Sequence, residues 1–188
     1  MSATPNQAAF TFGVTTQGKT AVLALAANSG EMQKLIAALK AAGIPAGSLQ
    51  TNSVSLSVVM STQGDTIVGY TASNAVAATI AHLGRAGEIV DAAVAAGANQ
   101  VDGPNLTVSD QTTLYQAALK AAVADARAKA QTLAAASGLQ LGSVSSVEEN
   151  GATPPVTLSA GQVPGPSTPI ESGTQQITAS VTVVFDAS

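Results

Sequence analysis

The chain has 188 residues, of which 46% are hydrophobic, 3% aromatic and 10% charged; its net charge is −4 and it has no cysteine. That length and apolar content suit one large domain or two small intimate ones. Lack of cysteine excludes disulfides, thiol catalysis and Cys-based metal sites, and the 7 basic residues, scattered from Lys19 to Lys129, form no patch for nucleic acid or anionic lipid.

With so few rings, the core must close by packing small side chains tightly. The charged fraction is far below the roughly 25% usual in soluble domains. The surface is therefore rich in Thr, Ser, Gln, Asn and Gly, and it raises little electrostatic barrier to self-association.

Residues 1–9, opening MSATPNQ, read as a polar flexible leader, with a signal or anchor segment expected to have been removed ahead of it. Residues 10–186 read as a single domain or two closely joined subdomains. Phe10 to Thr16 and Thr20 to Ala27 are short apolar runs about Gln17-Gly18-Lys19, which predicts a hairpin. Ser29 then serves as N-cap of a helix, with Glu31 in its first turn and Met32, Leu35, Ile36 and Leu39 inward. Gly43 ends it and Pro45 stops it.

From Leu49 to Ser61 the pattern alternates. Val54, Leu56, Val58 and Met60 share one face, and Thr51, Ser53, Ser55 and Ser57 the other, which predicts a half-buried strand. The polar face is solvated or lines a pore or subunit seam. A turn at Gln63-Gly64-Asp65 leads into a long strand toward Ile80, with Val68, Tyr70, Ala72, Val76, Ala78 and Ile80 on its apolar face, interrupted by Asn74. A second helix covers Arg85 to Ala96, with Ile89, Val90, Ala93 and Val94 inward, and Gly97 ends it. A strand follows from Gln100 to Ser109, with Asp102-Gly103 as a turn or bulge.

Ser109 or Asp110 caps a long third helix that ends at Gly138, its stripe being Tyr115, Leu119, Ala122, Ala126 and Leu133. Asp125 and Lys129 form an i, i+4 pair on it. A strand spans Val144 to Glu149. Asn150 to Gly173, rich in Pro, Gly, Ser and Thr, predicts a long exposed loop, and Gln175 to Asp186 alternates as a terminal strand. No apolar run is long enough to cross a membrane as a helix. Three helices that each end in Ala and Gly and feed a strand imply an α+β fold, with mixed but largely antiparallel sheets.

No catalytic, cofactor-binding or metal-ligating set emerges. His82 is the only histidine and reads as a polar residue where a strand meets a helix. Nothing fixes Glu88 or Asp91 as metal partners for it. A G-x-S-x-G elbow, a phosphate loop and a dinucleotide fingerprint are all missing. Glu148 and Glu149 are adjacent on a strand and point to opposite faces, so they make poor partners for acid–base work. No cofactor is called for, and the chain does not read as an enzyme.

The ordered segments resemble the SIMPL-domain family of exported bacterial envelope proteins, also described as periplasmic immunogenic or outer-membrane-antigen proteins. They run from Leu39-Lys40-Ala41-Ala42-Gly43-Ile44 and Leu49-Gln50-Thr51 through Ile67-Val68-Gly69-Tyr70-Thr71-Ala72, Ala95-Ala96-Gly97-Ala98-Asn99 and Val108-Ser109-Asp110. The third helix adds Ala118, Ala121-Ala122, Asp125-Ala126-Arg127, Lys129-Ala130, Leu133-Ala134 and Ser137-Gly138. The tail adds Pro169-Ile170-Glu171-Ser172-Gly173 and the alternation Ile177, Ala179, Val181, Val183, Phe185. Ser172 stands where the family usually has Pro, and the opening strand is less typical.

The resemblance implies an extracytoplasmic location, in the periplasm, at the cell surface or anchored as a lipoprotein. Some members of the family assemble into large ring-like or channel-like oligomers, and the resemblance carries over no catalytic residue. Three functional expectations follow. The first is a self-assembling structural or interaction protein whose partner is itself or another envelope protein. The second is a carrier for a small apolar or peptide ligand, with the Asn150 to Gly173 loop as a lid. The third, ranked last, is a hydrolase using His82.

Overall fold

The computed structural model describes residues 1–152, 156–158 and 171–188. The fold is α+β, with three α-helices among the described residues and strands that pair antiparallel throughout. The chain divides into two compact units. One is built on Asn6–Thr107; the other takes in Met1–Pro5, the described part of Val108–Ala160, and Gly173–Ser188.

The Asn6–Thr107 unit is a four-stranded sheet with two helices. Its strands are β2 (Gln7–Gly18), β3 (Leu49–Met60), β4 (Ile67–Ile80) and β5 (Gln100–Thr107), in the order β3-β4-β2-β5. Helix α1 (Ala21–Ala41) packs on β2 and β4, and α2 (Ala86–Ala95) packs beside α1. Alternation along β2 sends Ala8, Phe10, Phe12 and Val14 into the core, where they meet Val76, Ala78 and Ile80 of β4. Helical spacing brings Met32, Leu35 and Leu39 of α1 and Ile89, Val90 and Ala93 of α2 to the same core. Val94, expected inward, is 52% exposed, although Val90 one turn earlier is buried.

The sequence reading fails at the first helix. Thr20 to Ala27, expected as a strand, is the opening of α1. Thr20 is its N-cap, accepting from the Leu23 N–H at 3.3 Å, and Ser29 lies well inside the helix. Alanine and leucine are strong helix formers, and a short apolar run does not reveal its own period. Gly18 is the corner rather than a hairpin turn: a Cβ there would lie 2.5 Å from the Ala24 amide nitrogen.

Residues 1–9 are also more structured than the expected leader. β1 (Ser2–Ala3) is a strand, and β2 begins at Gln7, with Ala8 fully buried. Small alanines carry too little hydrophobic signal to show this. The bulge expected at Asp102-Gly103 is present: the β2–β5 ladder shifts register between Ala9 and Thr11, opposite that segment.

The second unit pairs β6 (Leu141–Ala152) with β9 (Ala179–Ala187) and packs α3 (Gln111–Ala136) along β9. A small sheet joins β1, β8 (Thr174–Gln176) and β7 (Val156–Leu158) in the order β1-β8-β7. Asp110 caps α3, accepting from the Thr113 N–H at 3.3 Å, and Lys129 meets Asp125 at 2.7 Å as expected. The inward row is Ala118, Ala122, Ala126, Ala130 and Ala134, while Leu133, expected inward, is 69% exposed. The terminal strand is broken at Ile177 into β8 and β9. Most of the loop expected at Asn150 to Gly173 lies outside the described residues.

All three helices end alike, as the repeated Ala-Gly endings suggested. Gly43, Gly97 and Gly138 have φ of 94°, 106° and 71°. The residue after each glycine donates back into the last turn: Ile44 to Leu39 O, Ala98 to Ala93 O and Leu139 to Ala134 O.

Candidate functional site

Two features of the Asn6–Thr107 unit stand out, an open strand edge and a small cavity. The first is the β3 edge. The register sets Val54 opposite Asn74, Leu56 opposite Ala72 and Val58 opposite Tyr70. These β3 residues therefore share the face that α1 covers over β2 and β4. The strand lies beyond that cover, so Val54 is 62% exposed, Leu56 42% and Val58 51%. The expected half-buried strand is thus open on its apolar face. Ile67 and Val68, across the hairpin tip, are exposed as well.

The hairpin turn is ordered by Asp65, whose carboxylate accepts from Ser61 Oγ at 2.7 Å and from Thr66 Oγ1 at 3.3 Å. The Ser61 hydroxyl, first, and then the Asp65 and Thr66 donors hold that carboxyl below its ordinary value.

The two edges of this sheet differ. β5 carries Asp102 and Pro104 and a bulge, devices that discourage strand addition. β3 carries none of the charges or prolines that guard an edge, and no charged residue occurs anywhere between Lys40 and Asp65. Reading β3 as an ordinary amphipathic strand missed this. The signal was available in that long stretch without charge.

The second feature is a cavity of about 140 Å³ where the ends of α1 and β4 meet the start of α2. Ile44, Ile80 and Ile89 are among its walls, and His82 and Arg85 line it too. Arg85 donates from Nη2 to the Ala42 carbonyl at 2.8 Å and lies 3.8 Å from Glu88 through Nε. A cation there complements the negative end of α1. Sequence reasoning found His82 at this corner but passed over Arg85, the only lysine or arginine between Lys40 and Lys120.

In the other unit, Glu149 accepts a 2.6 Å hydrogen bond from the Tyr115 hydroxyl. That bond, followed by partial desolvation and the carboxylate charge, raises the Tyr115 pKa. Glu148 and Glu149 are both exposed. Among the described residues no three His, Asp or Glu side chains gather as metal ligands, and no helix is long and apolar enough to cross a membrane.

An α+β chain with three glycine-capped helices feeding strands matches the architecture expected from the ordered segments. The chain belongs to the SIMPL family: the model of that family, described as a protein of unknown function (DUF541), matches residues 1–185. It is 35% identical over 201 aligned positions to the 26 kDa periplasmic immunogenic protein of Brucella melitensis biotype 1, the match spanning 99% of this chain and 80% of that protein. The protein of the same name from Brucella abortus (strain S19) matches to the same extent.

Proposed function

We propose that this chain is a non-enzymatic protein of the bacterial envelope, located outside the cytoplasm, that assembles with copies of itself through the β3 edge. The observation that carries the reading is the unguarded edge: a strand of 12 residues, free of charge and proline, with its apolar face open. At roughly 3.4 Å per residue such a strand offers about 40 Å of backbone for pairing. Two copies laid antiparallel would pair their free ladders and set Val54, Leu56 and Val58 beside the same residues of the other copy, without bringing like charges together. The location is supported by the relatives' name, periplasmic immunogenic protein. The lack of catalysis is supported by the sequence, with one histidine, no cysteine and no nucleophile or phosphate-loop motif.

The test is solution mass by light scattering across a concentration series, for the natural chain and for Leu56→Lys. The natural chain is expected at a multiple of 18.4 kDa and the variant at one copy. A natural chain that stays monomeric at high concentration overturns the proposal. A second reading, a carrier for a small apolar ligand, is favoured by the cavity walled by Ile44, Ile80 and Ile89.

A further inference from the structure

The cavity at the α1–β4–α2 corner has an apolar interior and two polar groups with unused donors. Its volume of about 140 Å³ is near that of the ~150 Å³ apolar cavity that takes up benzene, so it suits a tail of about four or five carbons. Arg85 is seated by its bond to Ala42 O, yet its Nη1 has no hydrogen-bond partner among the described residues. Gly43 makes room for that seat: a Cβ on it would come within 3.1 Å of Nη1. The His82 imidazole likewise has no hydrogen-bond partner among the described residues, and in either tautomer it can donate. Glu88, 3.8 Å from Arg85 Nε, offsets part of the positive charge. The corner therefore suits a monoanion better than a phosphate.

We propose that this cavity binds a short aliphatic carboxylate, with its tail among Ile44, Ile80 and Ile89 and its carboxylate against Arg85 and His82. The proposal rests on the small-ligand reading above and names its chemistry. A guanidinium presents parallel N–H groups that match a carboxylate, and the apolar walls reward a tail that leaves water. The same chemistry is presented by free short-chain acids and by a chain terminus ending in Leu or Val.

The test is an NMR titration of the ¹⁵N-labelled full chain with isovalerate, with isoamyl alcohol as the uncharged match. Isovalerate is expected to give saturable shifts at the amides of Ile44, His82 and Arg85. The alcohol is expected to bind about fivefold more weakly, the upper range for an exposed ion pair. Arg85→Met and His82→Gln should each weaken isovalerate, the first by about the same fivefold. Arg85→Lys, which keeps the charge, should weaken it less; each variant's own spectrum reports whether it is folded.

Equal binding of acid and alcohol, unmoved by Arg85→Met, overturns the carboxylate assignment and leaves the small-ligand reading standing. No saturable shift from either probe overturns both. N-acetyl-leucine separates the sources. Binding tighter than isovalerate supports the site as one for chain termini, and weaker binding supports it as one for free acids.

Discussion

Two asparagines on the apolar side of the Asn6–Thr107 sheet show opposite uses of the same side chain. Asn28 of α1 is buried and donates from Nδ2 to Val14 O at 2.7 Å and to Ala72 O at 3.1 Å, tying the helix to both central strands. Asn28→Ala removes both donors from carbonyls that water does not reach, so urea unfolding should show a loss of about 1–3 kcal/mol. Asn74 of β4 has a buried Oδ1 with no partner among the described residues. Asn74→Ala removes an unsatisfied acceptor, and the same assay should find stability within about 1 kcal/mol of the parent or above it.

Tyr115 makes a pH prediction. Its folded pKa is raised above the ordinary 10.0, first by the bond it donates to Glu149. The stability that this bond contributes is therefore fully present below the ordinary tyrosine pKa. It is lost as pH rises through the folded value. Unfolding midpoints measured across the alkaline range should fall more steeply for the natural chain than for Tyr115→Phe; parallel curves would remove Tyr115 as the cause.

At the scale of elements, α1 shows where a helix start is decided. Thr20→Ala removes the cap and should cost about 0.5–2 kcal/mol, while Ser29→Ala, now placed mid-helix, should cost little. A large loss at Ser29 and none at Thr20 in thermal unfolding would return the helix start to its expected place.

This is also where sequence legibility ended. Long segments with a clear period were readable: the β3–β4 hairpin, α2, α3 and the glycine ends of the helices all appear where spacing put them. The failures share a cause, which is alanine. It gives Thr20 to Ala27 no period, hides Ala8 in a supposed leader, and lets Ala118, Ala130 and Ala134 be passed over on α3, where Ala122 and Ala126 were read as inward beside the more conspicuous Leu133. Exposure of β3 was unreadable for another reason. Alternation reports which residues share a face, not whether a neighbouring helix reaches far enough to cover it. Arg85 escaped notice because a single cation has no pattern until the Ala42 carbonyl is seen beside it.

At the scale of the whole molecule, burial is unequal. The hydrophobic core cluster lies entirely within Asn6–Thr107, whereas α3, over its 26 residues, buries only Ala118 and Ala134. Amide hydrogen exchange should therefore be faster in α3, β6 and β9 than in β2 and β4, since local opening exposes least where little is buried. Uniform protection across both units would contradict this.

The contrast between the guarded β5 edge and the bare β3 edge has one further consequence, for stoichiometry. A sheet with two bare edges can add copies without limit and grow as a ribbon. A sheet with one bare edge cannot: when β3 meets β3 of a second copy, each has consumed the only open edge of the other, and the contact closes on a two-fold axis. Assembly that begins this way counts in twos, and whatever larger particle is built from such pairs holds an even number of chains.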